Sequence, residues 1–435
     1  MKFYISKRII GFLFFYFFIF QSFGQTRIKA MMYNLLNYSN SEISQNKTSY
    51  LTTILDEIHP DLFMVCELVD EAGSNYLFEN AIIPHNSSFE KAIFEENQSG
   101  NSELQQLVYY NTEKLILEES RVITADTRDI NQYTFKIKTE NFETDPIFFE
   151  VFVTHLKASF GYSNRQRRLN SIQSFISFTD FIPSDRHVLF AGDFNFYTSN
   201  EEGYQYLIDD RNPIVFIDPI NRPAPPFPDD GIDYFDNYDS TYFWNNSSFA
   251  DIHSQSTRTS NNGLIDDSGS TGGLDDRFDF IMMSENFNTS SNLFYINDSY
   301  QTIGNNSNCY NSYINNPNCS GVFSQSLRDA LIQFSDHLPI VMEIETPENT
   351  LSTNSYSNVH FYGSNITEDI LKISIPSNLN LNELKIYNIN GQLIGSIDLK
   401  NIRENRISID VRHLSKGIYY LSQKKLNTPI KFVKI

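Results

Sequence analysis

Eight polar residues stand at the ends of apolar runs, and their types suit the hydrolysis of a phosphate ester. Asn34 sits in IKAMMYNL and Glu67 closes LFMVC. His155 follows FEVFVT, and Asp193 and Asn195 belong to GDFN after VLFA. Asp279 lies within DDRFDFIMMS, and Asp336 and His337 precede IVMEI. Breaking a P–O bond needs a hard cation on the phosphoryl oxygen, a base for water, and donors for the charge that develops. Glu67 and Asp336 are oxygen ligands suited to Mg²⁺, Mn²⁺ or Ca²⁺. Asp193 suits orienting or deprotonating water, with Asn195 fixing it or donating to the phosphoryl group. His337 can donate to a phosphate oxygen if Asp279 holds its other ring nitrogen. No zinc-type His/Cys cluster, Gly-rich phosphate loop or Gly-x-Ser-x-Gly elbow competes with this reading. A lone carboxylate after a strand is more often a turn former or a helix cap. That explanation becomes poor when it must hold independently at six ordered places.

Such residues need a scaffold. Ile28–Leu35, Leu62–Cys66, Leu107–Tyr110, Phe148–Val153, Val188–Ala191, Phe278–Met283 and Ile340–Ile344 read as strands. Ser49–Ile58 and Arg165–Phe181 carry apolar residues at helical spacing, with Arg165 and Arg168 on a solvated face. Strands mixed with helices predict an α/β or α+β architecture, in which sites assemble at strand ends. Residues 209–275, with RPAPPFPDD and DDSGSTGG, read as loops over a functional face. Within them Trp244 is a loop anchor or a stacking platform.

The 435 residues exceed one ordinary core, and an aromatic content of 14% argues against disorder. Residues 1–24 read as an export signal: Lys2, Lys7 and Arg8, an apolar run Ile9–Phe20, then Ser22 and Gly24 before a cut. That run is too short to span a bilayer, and no other segment is apolar enough. Residues 25–345 form the chemical domain, 346–360 a polar linker, and 361–435 a small all-β domain with an Asn390–Gly391 hairpin turn. Cys309 and Cys319 suit a disulfide in an exported chain, and Cys66 reads as a buried thiol. Acidic residues (53) outnumber basic ones (33), so a polyanion would need a local basic patch, bound cations, or both.

MMYNLLN, PDLFMVCEL, VTHLKAS, GDFN, RFDFIMMS and SDHLPIVM, in that order, resemble the endonuclease/exonuclease/phosphatase superfamily of deoxyribonuclease I. The resemblance implies a four-layer sandwich of two packed sheets flanked by helices, with a divalent metal, Mg²⁺ foremost, at one edge. It implies Glu67 as metal ligand, Asn34 at the metal or phosphate, and Asp336 in the metal or His337 cluster. Asp193 and Asn195 would position water, His155 and His337 would contact the scissile phosphate, and Asp279 would pair with His337. Arg128 and Lys157 fall where relatives bind substrate phosphate. Deoxyribonuclease I pairs its first catalytic His with a Glu; here SELQQLVYY offers Glu103 only at shifted spacing, leaving His155 without a named partner. LKIYNINGQLIGSIDL, DVRHLSKGIYYL and IKFVKI resemble the type A sorting domain of the type IX secretion system. That implies passage across an outer membrane by that machinery, to a secreted or surface-attached form. The expected activity is a secreted nuclease acting on DNA or RNA. A sphingomyelinase- or inositol-phosphatase-like phosphoesterase is the alternative, and a non-catalytic surface binding protein is a third.

Overall fold

The structure, a computed structural model, describes residues 26–347, 360–361, 365–375, 381, 383–399, 406–423 and 429–435. The expected export signal and most of the expected linker lie outside the described residues. Along the chain come β1 (Arg27–Tyr38), β2 (Leu62–Leu68), β3 (Phe89–Lys91), β4 (Gln105–Asn111), β5 (Leu115–Ile123), β6 (Ile130–Ile137) and β7 (Ile147–His155). There follow β8 (His187–Asp193), β9 (Phe216–Ile217), β10 (Asp279–Ser284), β11 (Phe294–Tyr295), β12 (Gln301–Thr302) and β13 (Ile340–Glu345). The longer helices are α1 (Glu42–Ile58), α2 (Tyr162–Thr179) and α3 (Gln325–Phe334).

One sheet runs β11-β13-β1-β2-β4-β3, with β12 also on β13; the other runs β5-β6-β7-β8-β10-β9. Side-chain alternation decides what each face covers. In the second sheet Phe149, Val151, Leu189, Ala191 and Ile281 enter the core between the sheets. Their neighbours Phe152, Val188, Phe190 and Phe280 pack instead with Ile172, Phe175 and Ile176 of α2. Tyr110 of the first sheet meets Phe135 of the second edge-on at 5.3 Å. On the far face of the first sheet, Tyr33 meets Phe334 of α3 at 5.4 Å. The result is helix, sheet, sheet, helix. Strands buried on both faces explain why these segments read as continuous apolar runs.

Three expectations need revision. Helix α1 begins seven residues before Ser49, because EISQNKT hides its periodicity and Ser41 caps it, accepting from Ser44 N–H. The hairpin β5–β6 and helix α3 were not anticipated; only two of the nine residues of β5 are buried, which blurs its pattern. Arg165 and Arg168 are buried rather than solvated, and Arg168 is held by Glu201 at 2.9 and 3.1 Å and by the carbonyls of Lys157 and Ser159.

The C-terminal region is all-β, with a three-stranded and a five-stranded sheet around Leu371, Ile373, Leu384, Ile386, Leu421 and Phe432. Strands Glu383–Asn388 and Leu393–Asp398 pair across the anticipated turn, where Gly391 takes φ 74°. Among the described residues no helix is long and apolar enough to cross a membrane.

Candidate active site

Strand direction gathers the chemistry. Strands β1 and β2 are parallel, as are β7 and β8, whereas β10 runs antiparallel to β8 and β13 antiparallel to β1. The C-terminal ends of the first four therefore lie at the same edge as the N-terminal ends of the last two. Register sets His155 opposite Asp193, and Asp193 opposite Asp279.

The local backbone is tuned to this. A Cβ at Gly192 would stand 2.0 Å from the Thr154 carbonyl oxygen, so only glycine lets β7 and β8 approach one residue before Asp193. Gly192→Ala is expected to cost about 3 kcal/mol of stability, read as a lowered urea midpoint; an unchanged midpoint would show that the strands can part there freely. Glu67 adopts φ 60°, a left-handed conformation uncommon outside glycine, at an irregularity in β2–β4 pairing. Leu36 and Asn37 are also left-handed, and buried Lys47 binds the carbonyls of Leu35 and Leu36 and the Asp266 carboxylate.

Asn34 lies at the centre. Its Nδ2 donates to Glu67 Oε1 at 2.9 Å and Asp193 Oδ2 at 3.1 Å, while its Oδ1 accepts from Leu36 N–H. The second Glu67 oxygen accepts from Asn37 N–H at 2.9 Å. Asn195 donates to Asp193 Oδ1 through its side chain at 2.8 Å and its backbone at 3.2 Å. His337 Nδ1 lies 2.7 Å from Asp279 Oδ2, which also accepts from Ser254 Oγ at 2.7 Å. His155 Nε2 lies 3.4 Å from Asp193 Oδ2 and 3.9 Å from Glu67 Oε1.

Burial sets the charges. It raises the Asp193 carboxyl above the usual range, with Asp279 and Glu67 adding to the rise and His337 opposing it. Glu67 is raised by burial and then by Asp336. Burial pushes His155 well below the ordinary imidazole range, helped by Arg128 and His337. At His337 burial works against the charged ring, but Asp279 and Asp193 together outweigh it and lift its pKa well above the ordinary imidazole range.

The expected residues Asn34, Glu67, His155, Asp193, Asn195, Asp279 and His337 converge at this edge. Glu67, His155 and Asp193 offer ligand atoms within 4.8 Å of one another. Asp336 sits beside this group, its Oδ2 accepting from Gln255 Nε2 at 3.1 Å and Ser270 N–H at 2.7 Å. Arg128 turns to the carbonyls of His155 and Leu156, and Lys157 to that of Ala158. Glu103 is exposed, and His155 Nδ1 has no hydrogen-bond partner among the described residues. Trp244 is a buried anchor whose indole N–H donates to the Arg222 carbonyl. Cys309 and Cys319 are joined, and Cys66 is a buried thiol. Sequence reasoning missed Ser254, Gln255 and Ser270. Gln255 Nε2 lies 2.6 Å from His337 Nε2, and an isolated antiparallel bridge outside the strands joins the two residues. These positions belong to the irregular 209–275 stretch, where no periodicity marks a residue.

Residues 365–435 match the family described as the secretion system C-terminal sorting domain. No curated protein matches the chain. Solved structures similar to it include an endonuclease/exonuclease/phosphatase family protein from Bacteroides thetaiotaomicron, at 13% identity and a TM-score of 0.44, covering 74% of this chain and 98% of that one. Another is D. rerio TDP2 complexed with single strand DNA product, at 14% and 0.44, covering 74% and 100%. A third is the human nocturnin catalytic domain with bound sulfate, at 13% and 0.41, covering 74% and 97%.

Proposed function

We propose that this chain is an exported, metal-assisted phosphodiester hydrolase, with type IX export as the route of its sorting domain. The observation that carries the reading is the meeting of Glu67, Asp193 and Asp279 with His337, whose Nδ1 lies 2.7 Å from Asp279 Oδ2, at one sheet edge. Asp193, fixed by Asn34 and Asn195, is placed to orient water and to take its proton. His337, held by Asp279 through Nδ1, would turn its Nε2 to a phosphoryl oxygen once Gln255, 2.6 Å from that nitrogen, yields its place. Buried Asp193 and nearby Glu67 carry like charge with ligand oxygens close together, and a cation relieves that repulsion, so the residues fit a divalent ion. Such an ion, when bound, polarises phosphoryl oxygen.

Nucleic acid is the substrate that the sequence resemblance implies. Local charge bears on how it is held. Between residues 187 and 345 there is no lysine, and the five arginines are 211, 222, 258, 277 and 328. Arg211, Arg222 and Arg277 pair with Asp209, Asp251 and Asp218; Arg258 and Arg328 are buried against carbonyls. A basic track for a long duplex needs free cations. Residues 187–345 therefore supply none of them, and a polyanion would rest on cations from earlier in the chain, such as Lys157 beside His155. The same charge pattern favours, as a second reading, a phosphodiester with an uncharged or cationic remainder, such as the head group of sphingomyelin.

A screen of plasmid DNA, RNA, short oligonucleotides, sphingomyelin, inositol phosphates and bis(p-nitrophenyl) phosphate tests this. EDTA is expected to abolish turnover and added divalent metal to restore it. No turnover of any of them with Mg²⁺, Mn²⁺ or Ca²⁺ sinks the hydrolase reading. Turnover of sphingomyelin alone sinks the nucleic-acid reading and leaves the chemistry standing.

A further inference from the structure

Resting on the hydrolase reading above, we infer that Lys47 of α1 is a positioning residue for the site. Through two peptide groups near the end of β1 it sets where the side chains of Asn34 and Glu67 stand.

The two peptide groups supply the first ground. The Leu35 carbonyl and the Leu36 N–H belong to one of them, and the Leu36 carbonyl and the Asn37 N–H to the next. In a planar trans peptide the C=O and N–H point opposite ways. Lys47 Nζ donates to the two carbonyls, at 3.0 and 2.9 Å. The two N–H groups go to the site: Leu36 N–H donates to Asn34 Oδ1 at 3.0 Å and Asn37 N–H to Glu67 Oε2 at 2.9 Å. One ammonium therefore grips from behind both peptides that fix these side chains from the front. With its oxygen taken, Asn34 keeps Nδ2 for Glu67 Oε1 and Asp193 Oδ2.

The turn itself needs such a grip. Leu36 and Asn37 adopt φ 53° and 48°, successive left-handed conformations that cost free energy in residues other than glycine. The pairing of β1 with β2 shifts register between Asn34 and Tyr38, so the ladder does not pin these peptides.

Burial is the third ground. The Lys47 side chain is fully buried, and its third N–H goes to Asp266 Oδ2 at 2.8 Å, so every donor of the ammonium is used. A buried ion pair adds little stability over apolar residues of similar size, so packing alone does not account for one here. Asp266 is fixed in turn by Ser268, through its backbone N–H and its hydroxyl. The same loop carries Ser270, whose N–H holds Asp336. The pair thus ties the turn beside Asn34 to the loop behind Asp336.

The test uses the whole chain as Lys47→Met and as Lys47→Met/Asp266→Asn. The single variant leaves the Asp266 charge buried without its partner and is expected to melt lower. The double variant removes both charges and is expected to melt within about 3 °C of the wild type. With bis(p-nitrophenyl) phosphate and Mg²⁺, its kcat should nonetheless stay about 10- to 100-fold below wild type, with KM within about threefold. Hydrogen exchange at the Leu36 and Asn37 amides, read by fragmentation mass spectrometry, should be about tenfold faster or more in the double variant. Amides 48–58 of α1 should keep wild-type rates. A double variant with wild-type kcat overturns the inference, as does unchanged exchange at Leu36 and Asn37. Equal acceleration in α1 also overturns it, since Lys47 then only steadies the helix. A wild type without turnover, together with faster exchange at Leu36 and Asn37 in the double variant, removes the hydrolase reading and keeps the positioning role.

Discussion

Asp193→Asn is expected to lower the rate of phosphodiester hydrolysis by roughly 10³-fold or more, with the fold retained. The substitution removes the group that takes the proton, and its single remaining side-chain oxygen can accept from Asn195 or from Asn34 but not from both. Its effect on stability has the opposite sign. Burial raises the folded pKa of Asp193, and that of Glu67, above the ordinary carboxylate value. A raised folded pKa gives stability that is complete below the unfolded value, about pH 4, and lost as pH climbs through the folded one. The metal-free wild type should therefore melt at progressively lower temperature from mild acid to pH 8. Asp193→Asn should melt higher at pH 8 and show a shallower decline. Scanning fluorimetry with chelator from pH 5 to 8 reads this directly. Wild-type activity in the variant shows that another group takes the proton; parallel melting curves show that Asp193 is not strained by its ionisation.

Asp279→Asn should cost about 10²- to 10⁴-fold in kcat, although Asp279 is placed behind His337 rather than at the reacting atoms. The carboxylate holds Nδ1 at 2.7 Å and, with Asp193, lifts the ring's pKa against the pull of burial. Without it the ring gives up its proton at lower pH and is free to turn. Residual activity should then fall away at lower pH than in the wild type, because His337 supports phosphate only while charged. A kcat profile from pH 5 to 9 checks this. An unmoved alkaline limb would assign Asp279 a structural role and leave the charge of His337 unexplained.

The fold was legible in the sequence to the extent that burial repeats every two or four residues. VLFA and FDFIMM are buried on both faces, so they stand out as strands. Half-exposed β5 and the polar start of α1 do not. The ends of β7, β8 and β10 were readable as site positions because a charged residue closing an apolar run is conspicuous. Ser254 and Gln255 were not, since an ordinary polar residue in a loop gains meaning only when topology sets it beside His337. The division of labour was hidden for the same reason. No spacing along the chain shows that Asp336 turns toward Gln255 and Ser270, or that His155 faces Glu67 and Asp193.

The pairing of β1 with β13 has a temporal consequence. Arg27 lies opposite Glu345, so the two ends of the catalytic region are neighbours in the sheet. The earliest site residue, Asn34, meets the latest, His337, only when that pairing closes. A ribosome-bound or partly translocated chain that stops short of residue 336 lacks the imidazole and has no final strand to seal the sheet. For the function proposed above, assembly of the site is thus a late event in synthesis, and a chain still growing would not yet hold it complete.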